Sequence, residues 1–325
     1  MRFLKTLFVL AVLVAAAGAA ALWWEAKNFA ASGPSTADTK VFVRPGMGLG
    51  VIANILEGRG VVDNALLFRA GVMRRDAATK LKAGEYVFPV QASMAKILDM
   101  LVHHEIVQHR ITIAEGLTTD MVVSLVNTHP DLEGAVSEVP PEGSLLPETY
   151  LFELGTTREQ ILRDMHAAQE KLLAELWPKR KMGLPYTTQQ EALTLASIVE
   201  KETGIAAERP RIAAVFVNRL RTPMRLESDP TIIYGLTKGV PLGRGLRQSE
   251  LERPNPYSTY QIDGLPPTPI ANPGRDAIAA VLDPPDTKEL YFVADGSGGH
   301  AFAETYADHQ RNVANWRRIE QTDGQ

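Results

Sequence analysis

The first pattern along the chain is an uncharged stretch from Thr6 to Trp24, with Arg2 and Lys5 before it. At about 1.5 Å per residue, a helix of that length crosses roughly the 30 Å of hydrocarbon in a bilayer. Cations on the N-terminal side favour the cytoplasm. Residues 1–5 therefore read as a cytoplasmic N-terminus, 6–24 as a single-pass transmembrane anchor, and the rest as lying outside. Trp23 and Trp24 suit the outer membrane–water interface. A cleavable signal peptide is the rival reading. The small residues from Ala15 to Ala21 offer cleavage sites, whereas the length of the run and its bulky end favour an uncleaved anchor. Residues 25–39 hold Ser32-Gly33-Pro34-Ser35-Thr36 and little periodicity, and read as a linker.

Folded patterning begins at Val41. Val41 and Val43 alternate as a strand, Pro45-Gly46 makes a turn, and Val51, Ile52, Ile55 and Leu56 follow helical spacing. Leu81 to Phe88 is a turn leading into a strand, and Met94, Ile97, Leu98 and Leu101 restore the helical period. A faint echo stands 70 residues on: Ile111 and Ile113 match Val41 and Val43, Gly116 matches Gly46, and Val122 and Leu125 match Ile52 and Ile55. Thr157 to Leu176 is helical, with Pro178 ending it. Thr188-Gln189-Gln190-Glu191 has the form of a capping box, so a helix should run from there to Thr203 with Gly204 as its C-cap. Another helix is expected from about Glu208 to Arg221. The fold class is α+β, with a small domain over residues 40–109 and a larger mixed α+β domain over 110–325.

Composition narrows the chemistry. Of 325 residues 45% are hydrophobic and 22% charged, an ordinary globular mixture. The net charge of -4 lacks the basic face that phosphate neutralisation needs, which argues against a nucleic-acid partner. With no cysteine, disulfides, thiolate metal sites and a cysteine nucleophile are excluded. His103, His104 and His109 make no tight metal spacing with nearby carboxylates, so no metal or other cofactor is assigned. His300, in Gly299-His300, reads as a satisfied turn residue.

On the helix after Thr188, Leu193, Ala196, Glu200 and Thr203 share one stripe, so Glu200 points where small apolar groups otherwise point. A carboxylate there must be paired or protonated, and desolvation raises its pKa as a general acid requires. A helix-end glutamate paired to a nearby Arg or Lys is the competing reading. Glu202 and Glu148 read as structural.

The run Leu195-Ala196-Ser197-Ile198-Val199-Glu200-Lys201-Glu202-Thr203 resembles the signature of the endolytic murein transglycosylase family, also called YceG-like or MltG. Segments downstream agree in order: Val215 to Leu220, Met224 to Thr231, Asn255 to Tyr260, Gly264 to Pro267, Ile270 to Gly274, and Tyr291 to His300. Upstream, Glu142-Gly143 and Pro147-Glu148-Thr149-Tyr150 do likewise. The resemblance implies cleavage of the β-1,4 bond from N-acetylmuramic acid to N-acetylglucosamine within nascent peptidoglycan strands, leaving 1,6-anhydro ends and terminating elongation. It implies Glu200 as the catalytic residue. Candidate substrate contacts are Thr203, Asn218, Asp229, Tyr257, Ser258 and Tyr260. Asp229 before Pro230 equally orders a turn, Tyr257 and Tyr260 equally pin their loop, and Ser258 stands where the family pattern leads one to expect Asn. Residues 40–109 resemble a LysM-like module, with a helper subdomain lacking sugar affinity as the alternative.

One carboxyl group suffices for such chemistry. Ordinary glycosidases use two. Here the C6 hydroxyl of the muramic sugar is the nucleophile, and one carboxyl protonates the leaving oxygen and then takes the hydroxyl proton. Two other readings stand: a non-catalytic wall-binding scaffold, and a hydrolytic muramidase needing a second carboxylate, for which Asp229 is the candidate. Partners implied are glycan strands, the membrane and cell-wall synthases.

Overall fold

A computed structural model describes residues 2–323 of the chain. They form two compact units: one runs to His109 and includes Leu151–Leu154, the other takes Arg110–Tyr150 and everything from Gly155 on. The architecture is mixed α and β, with helices predominating and strands in two-stranded sheets.

The first unit opens with α1 (Arg2–Ala30), whose apolar side chains are exposed along its first two dozen residues. The stretch Phe3–Ala30 is long and apolar enough to cross a membrane. The helix does not stop at Trp24. Glu25 and Phe29 are buried, and Phe29 stacks on Phe68 with ring centroids 6.1 Å apart. The first part of the expected linker is therefore helix packed on the domain. Beyond it the chain is pinned as well, since the Gln91 N–H donates to the Ser35 carbonyl (3.1 Å) and hydroxyl (2.8 Å).

Strand β1 (Thr39–Val43), helices α2 (Leu49–Gly58) and α3 (Ala65–Arg74), strand β2 (Gly84–Phe88) and α4 (Met94–His103) complete this unit. β1 and β2 are antiparallel, with Val41 opposite Tyr86 and Val43 opposite Gly84. Alternation in β1 turns Val41 and Val43 inward. They meet Ile52, Leu56, Phe68, Phe88, Ile97 and Leu101 in one core. Asn64 and Ser93 cap α3 and α4 through side-chain oxygens.

β3 (His109–Thr112), α5 (Thr119–Thr128) and β4 (Thr149–Phe152) come next along the chain, and β3 and β4 pair as a sheet. The 70-residue echo is visible in the elements: α2 and α5 are offset by that spacing, and so are their buried triads, Ile52, Ala53 and Leu56 against Val122, Val123 and Val126. Gly46 and Gly116 precede these helices at φ values of 82° and 75°, where a side chain would be strained. Leu125, matched to Ile55 in the sequence, is 44% exposed; Val126 fills the core position instead.

Next come α6 (Arg158–Leu176), α7 (Gln189–Glu202), α8 (Arg209–Arg221), α9 (Asp229–Thr237), α10 (Gln248–Glu252) and α11 (Arg275–Leu282). A hairpin of β5 (Tyr291–Ala294) and β6 (His300–Ala303) precedes α12 (Tyr306–Asp323). α7 lies at the centre: every residue from Ala192 to Glu200 is buried, against α8 and α11. Its capping box is made as the sequence predicts, with the Glu191 N–H donating to Thr188 Oγ1 at 3.1 Å and the Thr188 N–H to Glu191 Oε2 at 2.9 Å. Its end differs. Thr203, at φ -144°, is the C-cap in extended conformation, and no left-handed Gly204 is used.

Candidate active site

Two carboxyl groups leave the end of α7 in different directions, because successive residues on a helix turn by about 100°. Glu200 points inward. Its Oε1 accepts from Arg209 Nη2 at 3.1 Å and its Oε2 from the Gly274 backbone N–H at 3.0 Å. Its side chain is only 4% exposed. Burial raises its pKa, opposed by the Gly274 N–H and by Arg209, while Glu115 adds to the rise. Arg209 is itself buried and also binds Glu115 at 2.9 Å.

The surroundings hold Glu200 in that pair. Gly274 is the N-cap residue of α11, so its N–H is free to donate outward. Two residues earlier, buried Asn272 accepts from the Leu145 N–H at 2.9 Å and donates to the Leu117 carbonyl at 3.1 Å and to Thr119 at 3.2 Å. Its carbonyl accepts from the Gly116 N–H at 3.0 Å. Lys201 reaches back to the Gly116 carbonyl at 3.1 Å. The segment from Ile270 to Gly274 is thus a clamp between the Gly116 turn and Glu200.

Glu202 faces a different group of residues and is partly exposed. Ser228, the N-cap residue of α9, donates its hydroxyl to Glu202 Oε1. No cation lies within ion-pair distance of Glu202 among the described residues. Burial is the main influence on its carboxyl, opposed by the Ser228 hydroxyl and reinforced by the neighbouring Asp229, and its pKa is pushed up to about 7. A carboxyl poised there gives and takes protons near neutrality.

The Ser228 hydroxyl is fixed by a knot of short polar contacts. Its N–H donates to Thr259 Oγ1 at 2.9 Å, and its carbonyl accepts from Thr231 Oγ1 at 2.6 Å. Arg219, buried, holds the preceding turn through the Arg225 and Leu226 carbonyls at 3.1 and 2.9 Å. Asp229 accepts from the Tyr260 hydroxyl at 2.9 Å. Burial first, and Asp229 second, push the Tyr260 phenol up. Glu202, Ser228, Asp229 and Tyr260 therefore form one polar group on the partly exposed end of α7.

The other sequence candidates are used elsewhere. Ser258 is 0% exposed, with its Oγ unpaired inside the fold, so it cannot reach a substrate in this arrangement. Thr203 is buried and accepts from the Ile205 N–H at 3.0 Å, shaping the chain beyond α7. Asn218 donates to the Thr287 and Glu289 carbonyls at 2.9 and 3.0 Å, fixing the approach to β5. Tyr257 packs edge-on to Tyr234 at 4.8 Å and bonds Thr268 at 3.0 Å, so it holds its loop. His300 is satisfied by Glu208 at 2.7 Å. Sequence reasoning set Glu202 aside as structural and missed Arg209 and Gly274 as partners of Glu200. Ser228 and Gly274 do lie inside segments that resemble the family's, Met224 to Thr231 and Ile270 to Gly274.

A model of the YceG-like family matches residues 41–315. The chain belongs to the YceG-like family. This YceG-like protein is 31% identical over 336 residues to the endolytic murein transglycosylase of Streptococcus pneumoniae serotype 2, covering 86% of this chain and 59% of the relative. It is 37% identical over 173 residues to the Bacillus subtilis strain 168 protein of the same name, covering 53% of this chain and 47% of that one. It thus spans less than two thirds of the length of these relatives. A crystal structure of a YceG-like protein from Listeria monocytogenes matches 85% of this chain and 99% of its own, with a TM-score of 0.52 and 28% identity.

Proposed function

We propose that this YceG-like protein is an endolytic peptidoglycan lytic transglycosylase, with Glu202 rather than Glu200 as its acid and base. The observation that carries the assignment is the pair of environments at the end of α7. Both oxygens of Glu200 are occupied, one by the buried Arg209 guanidinium and one by the Gly274 N–H, whereas Glu202 is partly exposed, has no ion-pair partner among the described residues, and is pushed by burial to a pKa of about 7. The name borne by the curated relatives supports the reaction class.

In this reading protonated Glu202 gives its proton to the glycosidic oxygen as the bond from that oxygen to C1 of the muramic sugar breaks. The carboxylate so formed takes the proton of the C6 hydroxyl while O6 closes onto C1. The proton lost from O6 balances the one gained by the leaving group, and no water enters. Ser228 holds the carboxyl in place, and burial, reinforced by Asp229, raises the affinity of Glu202 for its proton. Glycan strands are the substrate. α1 is a single-pass anchor in the bacterial inner membrane with both units outside, the small first unit is LysM-like, and wall synthases are partners. The anchor reading is supported by the length and apolar character of Phe3–Ala30, and the LysM-like reading by a small α+β unit with a core of its own.

Mass spectrometry of glycan products from the full chain in detergent tests the reading, beside Glu202→Gln and Glu200→Gln. Anhydro-muramic ends from the wild type and none from Glu202→Gln are expected. Ends heavier by one water would mean a hydrolase and direct attention to Asp229. No cleavage of any strand by the wild type would leave a wall-binding protein.

A further inference from the structure

We infer that the C-terminal end of α3 sits in the headgroup layer of the membrane that α1 enters, with anionic phospholipid as its partner. The inference rests on the reading of α1 as an anchor.

The two helices run in opposite directions where they touch. Phe29 of α1 stacks on Phe68, and a Cβ on Gly71 would stand 2.2 Å from its ring. Glu25, one turn back toward the apolar run, lies beside Gly71 and pairs with Arg74 at 2.6 Å and Arg75 at 3.1 Å. Moving from Phe68 to Arg74 along α3 is therefore moving from Phe29 back to Glu25 along α1. Glu25 follows Trp23 and Trp24, which bound the apolar run. The last turn of α3 is thus level with the outer edge of that run.

What α3 shows at that level fits a lipid surface. Met73 is 65% exposed, and the Arg74, Arg75 and Lys80 side chains are 42%, 33% and 57% exposed. Lys27 stands on α1 over the Trp23 ring. At the end of α3 three cations (Arg74, Arg75, Lys80) stand against two carboxylates (Glu25, Asp76), a local charge of +1. An apolar tip ringed by cations enters the boundary between headgroups and acyl chains, with guanidinium groups on phosphate. The placement is rigid. Phe29 is 0% exposed, its ring lies 3.9 Å below the Arg75 guanidinium, and the helix is unbroken from the apolar run into the domain.

The chain has no cysteine, so single-cysteine labelling reads the depth of chosen positions. Met73→Cys, Leu66→Cys and Val51→Cys all substitute exposed side chains. Positions 66 and 73 are about 10 Å apart along the same helix. The full chain carrying an environment-sensitive dye at each site is reconstituted into phosphatidylglycerol-containing vesicles with headgroup spin-labelled lipid. Strong quenching and a blue shift are expected at position 73, with weak quenching at 66 and 51. The quenching at 73 should fall when zwitterionic lipid replaces the anionic lipid. Equal, water-like signals at all three sites in chain that floats with the vesicles would overturn the inference while leaving the anchor intact. Quenching at 73 indifferent to lipid charge would overturn the role of the cations. Chain that fails to float would instead defeat the anchor reading.

Discussion

Ser228 donates its hydroxyl to Glu202, tying the last turn of α7 to the first turn of α9. That bond joins two sequence motifs 26 residues apart. It gives a carboxyl that has no ion-pair partner among the described residues a fixed direction. Glu200, two residues earlier, is fixed by the opposite means, a buried guanidinium and a backbone N–H.

Glu202→Gln and Glu200→Gln should therefore fail in different ways. Glu202→Gln is expected to fold with little change in melting temperature and to lose about 10²–10⁴ in kcat, the usual worth of a positioned acid and base. Glu200→Gln leaves Arg209 with only the more exposed carboxylates of Glu115 and Asp276 and should cost roughly 1–3 kcal/mol of stability. Thermal melts together with product mass spectrometry separate the two. A stable, inactive Glu200→Gln beside an active Glu202→Gln would reverse the assignment.

The pH dependence follows from Glu202. As the initial proton donor it must be protonated, so kcat/KM should fall as pH rises through about 7. Ser228 hydrogen-bonds the ionised form and lowers the pKa, so Ser228→Ala should move that alkaline limb to higher pH. Stability has the same sign. The folded protein holds the proton more tightly than the unfolded chain, whose Glu202 titrates near the ordinary glutamate value of 4.5. The contribution of Glu202 is thus complete below about 4.5 and is lost as pH rises to about 7. Melting temperature measured across that window should decline less in Glu202→Gln than in the wild type.

Asn272→Ala tests the clamp behind Glu200. It would orphan the Leu145 N–H and remove donors to Leu117 and Thr119 inside the fold. A loss of about 2–4 kcal/mol is expected, since each buried polar group left unpaired costs about 1–3 kcal/mol. Denaturant unfolding of the wild type and variant measures it. A loss below about 0.5 kcal/mol, the scale of a neutral surface change, would show that the clamp does not hold the fold.

Periodicity and capping chemistry made much of the helical framework legible. Thr188 and Glu191 announce the start of α7, and Thr157 caps α6. The site was legible only to the level of the motif. α7 is buried all round from Ala192 to Glu200, so an apolar stripe could not tell which glutamate faces a protein cation and which faces outward. That choice is made by Arg209 and Gly274 on one side and Ser228 on the other. These partners arrive from α8, α11 and α9, and no local pattern on α7 encodes them. The polar Ser258 likewise reads as a contact residue, yet tertiary packing buries it completely.

The continuation of α1 was hidden for a related reason. Glu25 to Ala30 has no strong amphipathic period, and only one large apolar residue, Phe29, enters the core. Its partner is an absence, the missing side chain of Gly71. Gly71→Ala would drive a methyl group into the Phe29 ring, which is packed between Phe68 and Arg75 and has nowhere to move. Ala is the better helix former by about 1 kcal/mol, so propensity alone predicts a gain. Overpacking of about 1–3 kcal/mol should outweigh that gain. Two signs therefore compete, and a fall in the melting temperature of the first unit is expected. A rise would mean that α1 frays from α3 at little cost.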